Sequence, residues 1–136
     1  MTRYFVFDTN ALISAQIKKG SVSAHAFDKA IDEGYIVCSS VTFEEFATRF
    51  IRAKFKKYMP DADRAEAIAR VNRTSVIIEP AFTIKACRDP DDDKFLSLAL
   101  AAGAACIITG DKKHLLPLHP FRGIPILSPA DFLKMF

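Results

Sequence analysis

The sequence predicts an α/β domain, a three-layer α/β/α sandwich built on a parallel sheet. Two observations lead there. Short β-branched and aromatic runs alternate along the chain with stretches of helical periodicity, and strands separated by helices need crossover connections, which make a parallel sheet covered on both faces. The length sets the third limit, since 136 residues fit one domain, which residues 1–136 fill without an internal repeat, low-complexity segment or linker.

Taken in order, "RYFVF" (3–7) reads as a buried strand and "NALISAQIKKG" (10–20) as a helix that Gly20 can stop. "SVSAHAFDKAIDEG" (21–34) follows as a second helix, with Ser21 as N-cap and Gly34 at its end. "YIVCS" (35–39) is strand-like, and "VTFEEFATRFIRAKFKKYM" (41–59) reads as one long amphipathic helix broken by Pro60. A helix over 61–73 precedes a strand over 75–79, a helix over 89–103 precedes a strand over 105–110, and the strand "IPIL" (124–127) leads into a closing helix over 128–136.

Composition narrows the class. Half of the residues are hydrophobic and a quarter charged, as in a globular chain, and no apolar run reaches the ~18 residues of a membrane helix. The first residues, "MTRYFVFDTN", have neither an apolar targeting segment nor a small-residue cleavage site, so a cytoplasmic protein is expected. Cys38, Cys87 and Cys106 are odd in number and lack metal-site spacing, which fits reduced thiols. A net charge of +3 permits nucleic acid as a partner without demanding it.

The chemistry lies in the placement of the acids. Ligands of an open parallel sheet gather at the carboxyl ends of its strands. Asp8 follows the first predicted strand directly, and Asp111 ends the strand over 105–110. On the long helix, Phe43, Phe46, Ala47, Phe50, Ile51, Phe55 and Tyr58 form an apolar stripe from which Glu45 faces away. Arg49, Arg52 and Lys56 follow Glu45 at i+4, i+7 and i+11, forming a cationic column that could track a phosphate backbone, with Lys54, Lys57, Lys112 and Lys113 nearby. In "DPDDDKFL", Asp89 suits an N-cap and Pro90 the first helical position. Asp92 shares a face with Phe95, Leu96 and Ala99 and turns toward the sheet, while Asp93 projects with Ser97. Glu44 competes with Glu45, and Asp91 or Asp93 with Asp92, because the acids are adjacent; the face arguments favour Glu45 and Asp92. Carboxylates drawn together raise each other's pKa unless a cation neutralises them. An oxygen-only set suits Mg²⁺ or Mn²⁺ rather than zinc. His25, His114 and His119 show no ligand spacing and are read as ordinary surface or core residues.

Three segments, "FVFDTNALISA" (5–15), "SSVTFEEFATRFIRAKF" (39–55) and "DPDDDKFLSLALAAGAACIITGDKKHLL" (89–116), together resemble the PIN-domain family, in particular its prokaryotic toxin components of toxin-antitoxin systems. The resemblance implies a five-stranded parallel sheet in the order 3-2-1-4-5. It carries the family's acidic positions onto Asp8, Glu45, Asp92 and Asp111 as catalytic and metal-holding residues, with Asn10 and Thr109 in support. It also implies Mg²⁺- or Mn²⁺-assisted hydrolysis of single-stranded RNA, with Arg49, Arg52 and Lys56 on the substrate, a small antitoxin as partner, and a homodimer. Competing readings are a housekeeping RNA-processing nuclease and a non-catalytic PIN-fold module binding RNA or protein, which would be expected to have lost acids that are present here. An aspartate-nucleophile phosphatase would need a second Asp where Asn10 stands. A phosphate-receiver domain would need a strand-3 aspartate and a strand-5 lysine in places this chain does not supply.

Overall fold

The structure, a computed structural model, describes residues 2–136, the side chain of Ala53 excepted. The strands are β1 (Tyr4–Phe7), β2 (Tyr35–Cys38), β3 (Ser75–Ile77), β4 (Cys106–Ile108) and β5 (Ile126–Leu127). They form one parallel sheet in the order β3-β2-β1-β4-β5, as expected. Strand β1 is central, with Phe5 opposite Ile36 on one side and Cys106 on the other. The helices are α1 (Thr9–Ile17), α2 (Val22–Glu33), α3 (Ser40–Phe50), α4 (Asp61–Thr74), α5 (Asp93–Ala102) and α6 (Pro129–Met135).

The two-residue side-chain period of a strand divides the core into unequal halves. Phe5, Phe7, Ile36, Cys106 and Ile108 face one way and are buried with Phe27, Phe46, Phe50 and Phe132 from the helices of that layer. Val6, Val37 and Ile107 face the other way and are buried with Phe95, Leu96 and Leu98 of α5 and Leu115 of the following loop. Each fully buried phenylalanine contributes roughly 2–3 kcal/mol. Edge-to-face contacts such as Phe5 with Phe132, at 5.4 Å between ring centroids, add specificity to that burial.

Helix α1 ends at Ile17 with Lys18 as its C-cap, before the stop expected at Gly20, whereas other local signals hold. Ser21 caps α2 by accepting from the Ala24 N–H. Gly34 is required by contact, since a Cβ there would stand 2.2 Å from the Arg3 carbonyl oxygen, which already accepts the Tyr35 N–H that opens β2. All three cysteines are free thiols. Among the described residues no helix is long and apolar enough to cross a membrane.

The long helix over 41–59 is not formed. Helix α3 stops at Phe50, and the chain continues through a 3-10 turn at Ala53–Phe55. The cause lies in α4, where the Arg64 side chain, only 3% exposed, donates to the carbonyls of Phe50 at 3.1 Å, Arg52 at 2.9 Å and Met59 at 3.1 Å, and pairs with Asp61. These carbonyls are turned to a guanidinium instead of up a helix axis. Arg52 and Lys56 therefore lie beyond the helix end, and the single-face column of cations with Arg49 does not exist. Phe55 still reaches the core and packs edge-on against Phe50.

Candidate active site

The four acids come from four places in the chain and line one cavity of about 310 Å³, together with Asn10 and Arg49. The sheet order explains how. With β1 beside β4, the residues leaving their carboxyl ends are neighbours: Asp8 follows β1, and Thr109 to Asp111 follow β4. Helix α3 brings Glu45 from one side, and a 3-10 turn at Pro90–Asp92 ahead of α5 brings Asp92 from the other.

Asp8 has two duties. It is the N-cap of α1, accepting the Ala11 N–H at 2.8 Å on one oxygen, and the Thr109 hydroxyl donates to its other oxygen. Thr109, fully buried, also accepts the Asp111 N–H at 2.9 Å, so it ties the two strand ends together. Burial pushes the Asp8 carboxyl up despite those bonds, and the charges of Asp111 and Glu45 add to the rise.

Glu45 is half-buried against the cavity, while Glu44 is exposed and away from it. One Glu45 oxygen accepts the hydroxyl of buried Thr9. The other pairs with Lys94 and, at 3.4 Å, with Arg49. Thr9 and Lys94 are residues that sequence reasoning missed; the signal for Lys94 was its place directly after the acidic run, one turn from Pro90.

Asp92 and Asp93 take opposite parts. Asp93 is buried and accepts the N–H groups of Ala86 at 2.9 Å and Cys87 at 2.7 Å; burial alone would raise its pKa, but those bonds hold it below the usual range. Its role is to pin the loop over 78–89, and Ser97 helps by accepting the Ile84 N–H. Asp92 instead faces the cavity. Burial, the Asp111 carboxyl beside it and the charge of Asp89 push it up to about 6, with His114 opposing. Asp111 goes the other way, because the N–H groups of Lys113 and His114, at 3.0 and 3.1 Å, outweigh its burial and draw it below the ordinary value. The expectation that every carboxylate raises the others thus holds for Asp8 and Asp92 and fails for Asp111, whose turn supplies its own donors.

His114 belongs to the site, contrary to its reading as an ordinary residue. Its Nδ1 lies 3.2 Å from Asp111 and 3.5 Å from Asp92, and Asp89, Asp92 and His114 bring donor atoms within 4.8 Å of one another. The i+3 position after Asp111 was the only sequence signal, and it became readable once the Asp111 turn formed.

The donor set fits a hard divalent cation. Among the described residues, Arg49 and Lys94 both pair with Glu45, and His114 is the partner of Asp92 and Asp111. Asp8, Asp92 and Asp111 are left with more negative charge than their neighbours neutralise, in oxygen-rich surroundings of the kind Mg²⁺ and Mn²⁺ take.

A parallel α/β sandwich whose switch-point cavity is lined by acids, without a glycine-rich phosphate loop, defines an open-sheet domain with an acidic site. The sequence profile of the PIN domain matches residues 4–113, and the chain belongs to the PIN domain family, whose members are generally nucleases. It is 33% identical over 109 residues to the uncharacterized protein MJ1680 of Methanocaldococcus jannaschii, covering 79% of this chain and 70% of that one. Its fold is similar to the crystal structure of PAE2754 from Pyrobaculum aerophilum, with a TM-score of 0.64 at 18% identity over 98% of this chain and 89% of that one. It is also similar to VapBC2 from Rickettsia felis, solved bound to a DNA fragment from its promoter, with a TM-score of 0.60 at 13% identity over 90% and 96% of the two chains.

Proposed function

We propose that this protein is a metal-dependent endoribonuclease that hydrolyses phosphodiester bonds in single-stranded RNA, and that it is the toxin of a toxin-antitoxin pair working in the cytoplasm as a homodimer. The observation that carries the nuclease reading is the meeting of Asp8, Glu45, Asp92 and Asp111 in one cavity, where the available cations serve Glu45 and leave the other three short of positive charge. The toxin role draws on the likeness to VapBC2 and on the sequence resemblance.

Asp8, Asp92 and Asp111, with Glu45 and His114 at the margin, would hold Mg²⁺ or Mn²⁺, which when bound supplies an activated water and offsets charge at the attacked phosphorus. Thr109 and the Ala11 amide keep Asp8 from rotating. Asp92, with its pKa raised to about 6, would be held in its charged form by a bound cation. Arg49 lines the same cavity and is placed to meet a phosphate of the substrate, with Arg52 and Lys56 on the exposed turn beyond. Lys94 and Thr9 hold the Glu45 carboxylate in place and act through it.

The test is incubation of the purified protein with defined single-stranded and duplex RNAs in Mg²⁺, Mn²⁺ or EDTA. The expected result is cleavage of single strands that stops in EDTA. Undiminished cleavage in EDTA rejects the metal mechanism. Growth arrest on expression, relieved by a small partner, is expected of the toxin; harmless expression of a protein that cleaves RNA in vitro favours a housekeeping nuclease.

A further inference from the structure

A second cavity adjoins the acidic one and is larger, about 760 Å³. It lies beneath the loop over 78–89, which leaves the carboxyl end of β3 and so opens on the same edge of the sheet as Asp8 and Asp111. Its walls combine apolar surface from Val41, Pro80, Phe82 and Pro90 with charged side chains of both signs, Lys85 and Lys94 against Glu79 and Asp93. Phe82 is 47% exposed and Val41 59%, so both are open to a ligand in the groove.

One side chain links the groove to the acidic cavity. Lys94 lines the groove, yet its ammonium reaches Glu45. Val41, on the groove, and Glu45, on the acidic cavity, are also about one helical turn apart on α3. Its floor is preformed, because Asp93 and Ser97 of α5 hold the backbone of Ile84, Ala86 and Cys87.

We infer that this groove is a nucleobase subsite, which seats the unpaired base next to the phosphate held in the acidic cavity. The inference rests on the ribonuclease reading and names where its substrate lies. Phe82 is an exposed aromatic ring in the lining, of the kind on which any base stacks. Lys85 offers donors and Glu79 an acceptor to the polar edge of a base, groups that an apolar peptide would not use. A base can enter only if it is outside a duplex, so the groove itself selects single strands.

The experiment is a cycle between protein and substrate. Steady-state cleavage is measured for wild type, Phe82→Ala and Phe82→Trp on a single-stranded oligoribonucleotide, and on versions with an abasic nucleotide at each position flanking the cleaved bond. Phe82→Ala is expected to raise KM about tenfold with kcat little changed, and Phe82→Trp to restore it. One abasic position is expected to cost wild type a similar factor and to cost Phe82→Ala almost nothing more. Losses that simply add, or no abasic effect at either flank, overturn the subsite while leaving the nuclease reading intact. Wild type that cleaves no RNA overturns both. Unchanged kinetics in a Phe82→Ala protein that sediments as a monomer where wild type is a dimer would assign the groove to a second copy of the chain and overturn the nucleotide.

Discussion

Arg64 and the acidic cavity both bury charge, and they treat it in opposite ways. Arg64 has one charge and a full set of acceptors, three backbone carbonyls and Asp61. The cavity gathers four carboxylates and directs the nearest lysine and arginine to only one of them. A buried guanidinium that satisfies its neighbours holds a fold together, since leaving it or them unpaired would cost several kcal/mol. A cluster left with one sign in excess works against the fold and makes sense when something else completes it. Within the site the same contrast recurs one residue apart, where Asp93 is drawn below its usual pKa by two amides and Asp92 is pushed to about 6.

The contrast can be broken by substitution. The largest effect is expected on catalysis, where Asp8→Asn or Asp111→Asn should lower RNA cleavage by about a thousandfold, a loss of roughly 4 kcal/mol in transition-state stabilisation, with the circular dichroism of the folded protein retained. Cleavage within a few-fold of wild type would remove both residues from the chemistry. Arg64→Met should do the reverse, costing about 3 kcal/mol of stability, or a melting point lower by roughly 10 °C. A smaller change there would mean that the turn over 51–60 holds itself.

The site should also show its strain in EDTA. Asp8→Asn and Asp92→Asn remove carboxylates whose neutral form the folded state favours, and each should raise stability by about 1 kcal/mol, the usual scale of gain at a functional site. Asp111→Asn should lower the melting point, because there the charged form is the favoured one. All three moving together would show that net charge, and not each group's own partners, decides.

The smallest effect is on pH dependence. A carboxyl raised on folding stabilises below its unfolded pKa of 3.8, and that stability is lost as pH rises through the folded value of about 6 for Asp92. Asp8 acts in the same direction. Asp93 and Asp111 are lowered, so their contribution is complete above the unfolded value and is lost only in stronger acid. The metal-free protein should therefore melt higher near pH 5 than near pH 7.5, and Asp92→Asn should flatten that difference. An Asp92→Asn protein with the wild-type slope would place the titrating group elsewhere.

The sequence alone determined the parallel sheet and the caps, and it put forward Glu45 and Asp92 among adjacent acids. Apolar runs between helices allow few arrangements other than a parallel sheet, and Ser21 and Asp89 cap the turns beside them. The helical periodicity that turns Glu45 off the apolar stripe of its helix, and Asp92 toward the sheet, is local geometry that three or four neighbouring residues specify. Tertiary structure decided what depends on partners distant in the chain. Helix α3 ends where it does because Arg64, fourteen residues on, takes the Phe50 carbonyl, and no periodicity around residue 50 carries that information. His114, Lys94 and Thr9 became site residues in the same way. Thr9 and Lys94 acquire a role only when the packing of α3 against α1 and α5 sets Glu45 within reach, and His114, already one turn from Asp111, meets Asp92 only through the fold. Pairs that far apart in sequence meet only through the folded sheet, which is why the acids could be read from their own segments and their partners could not.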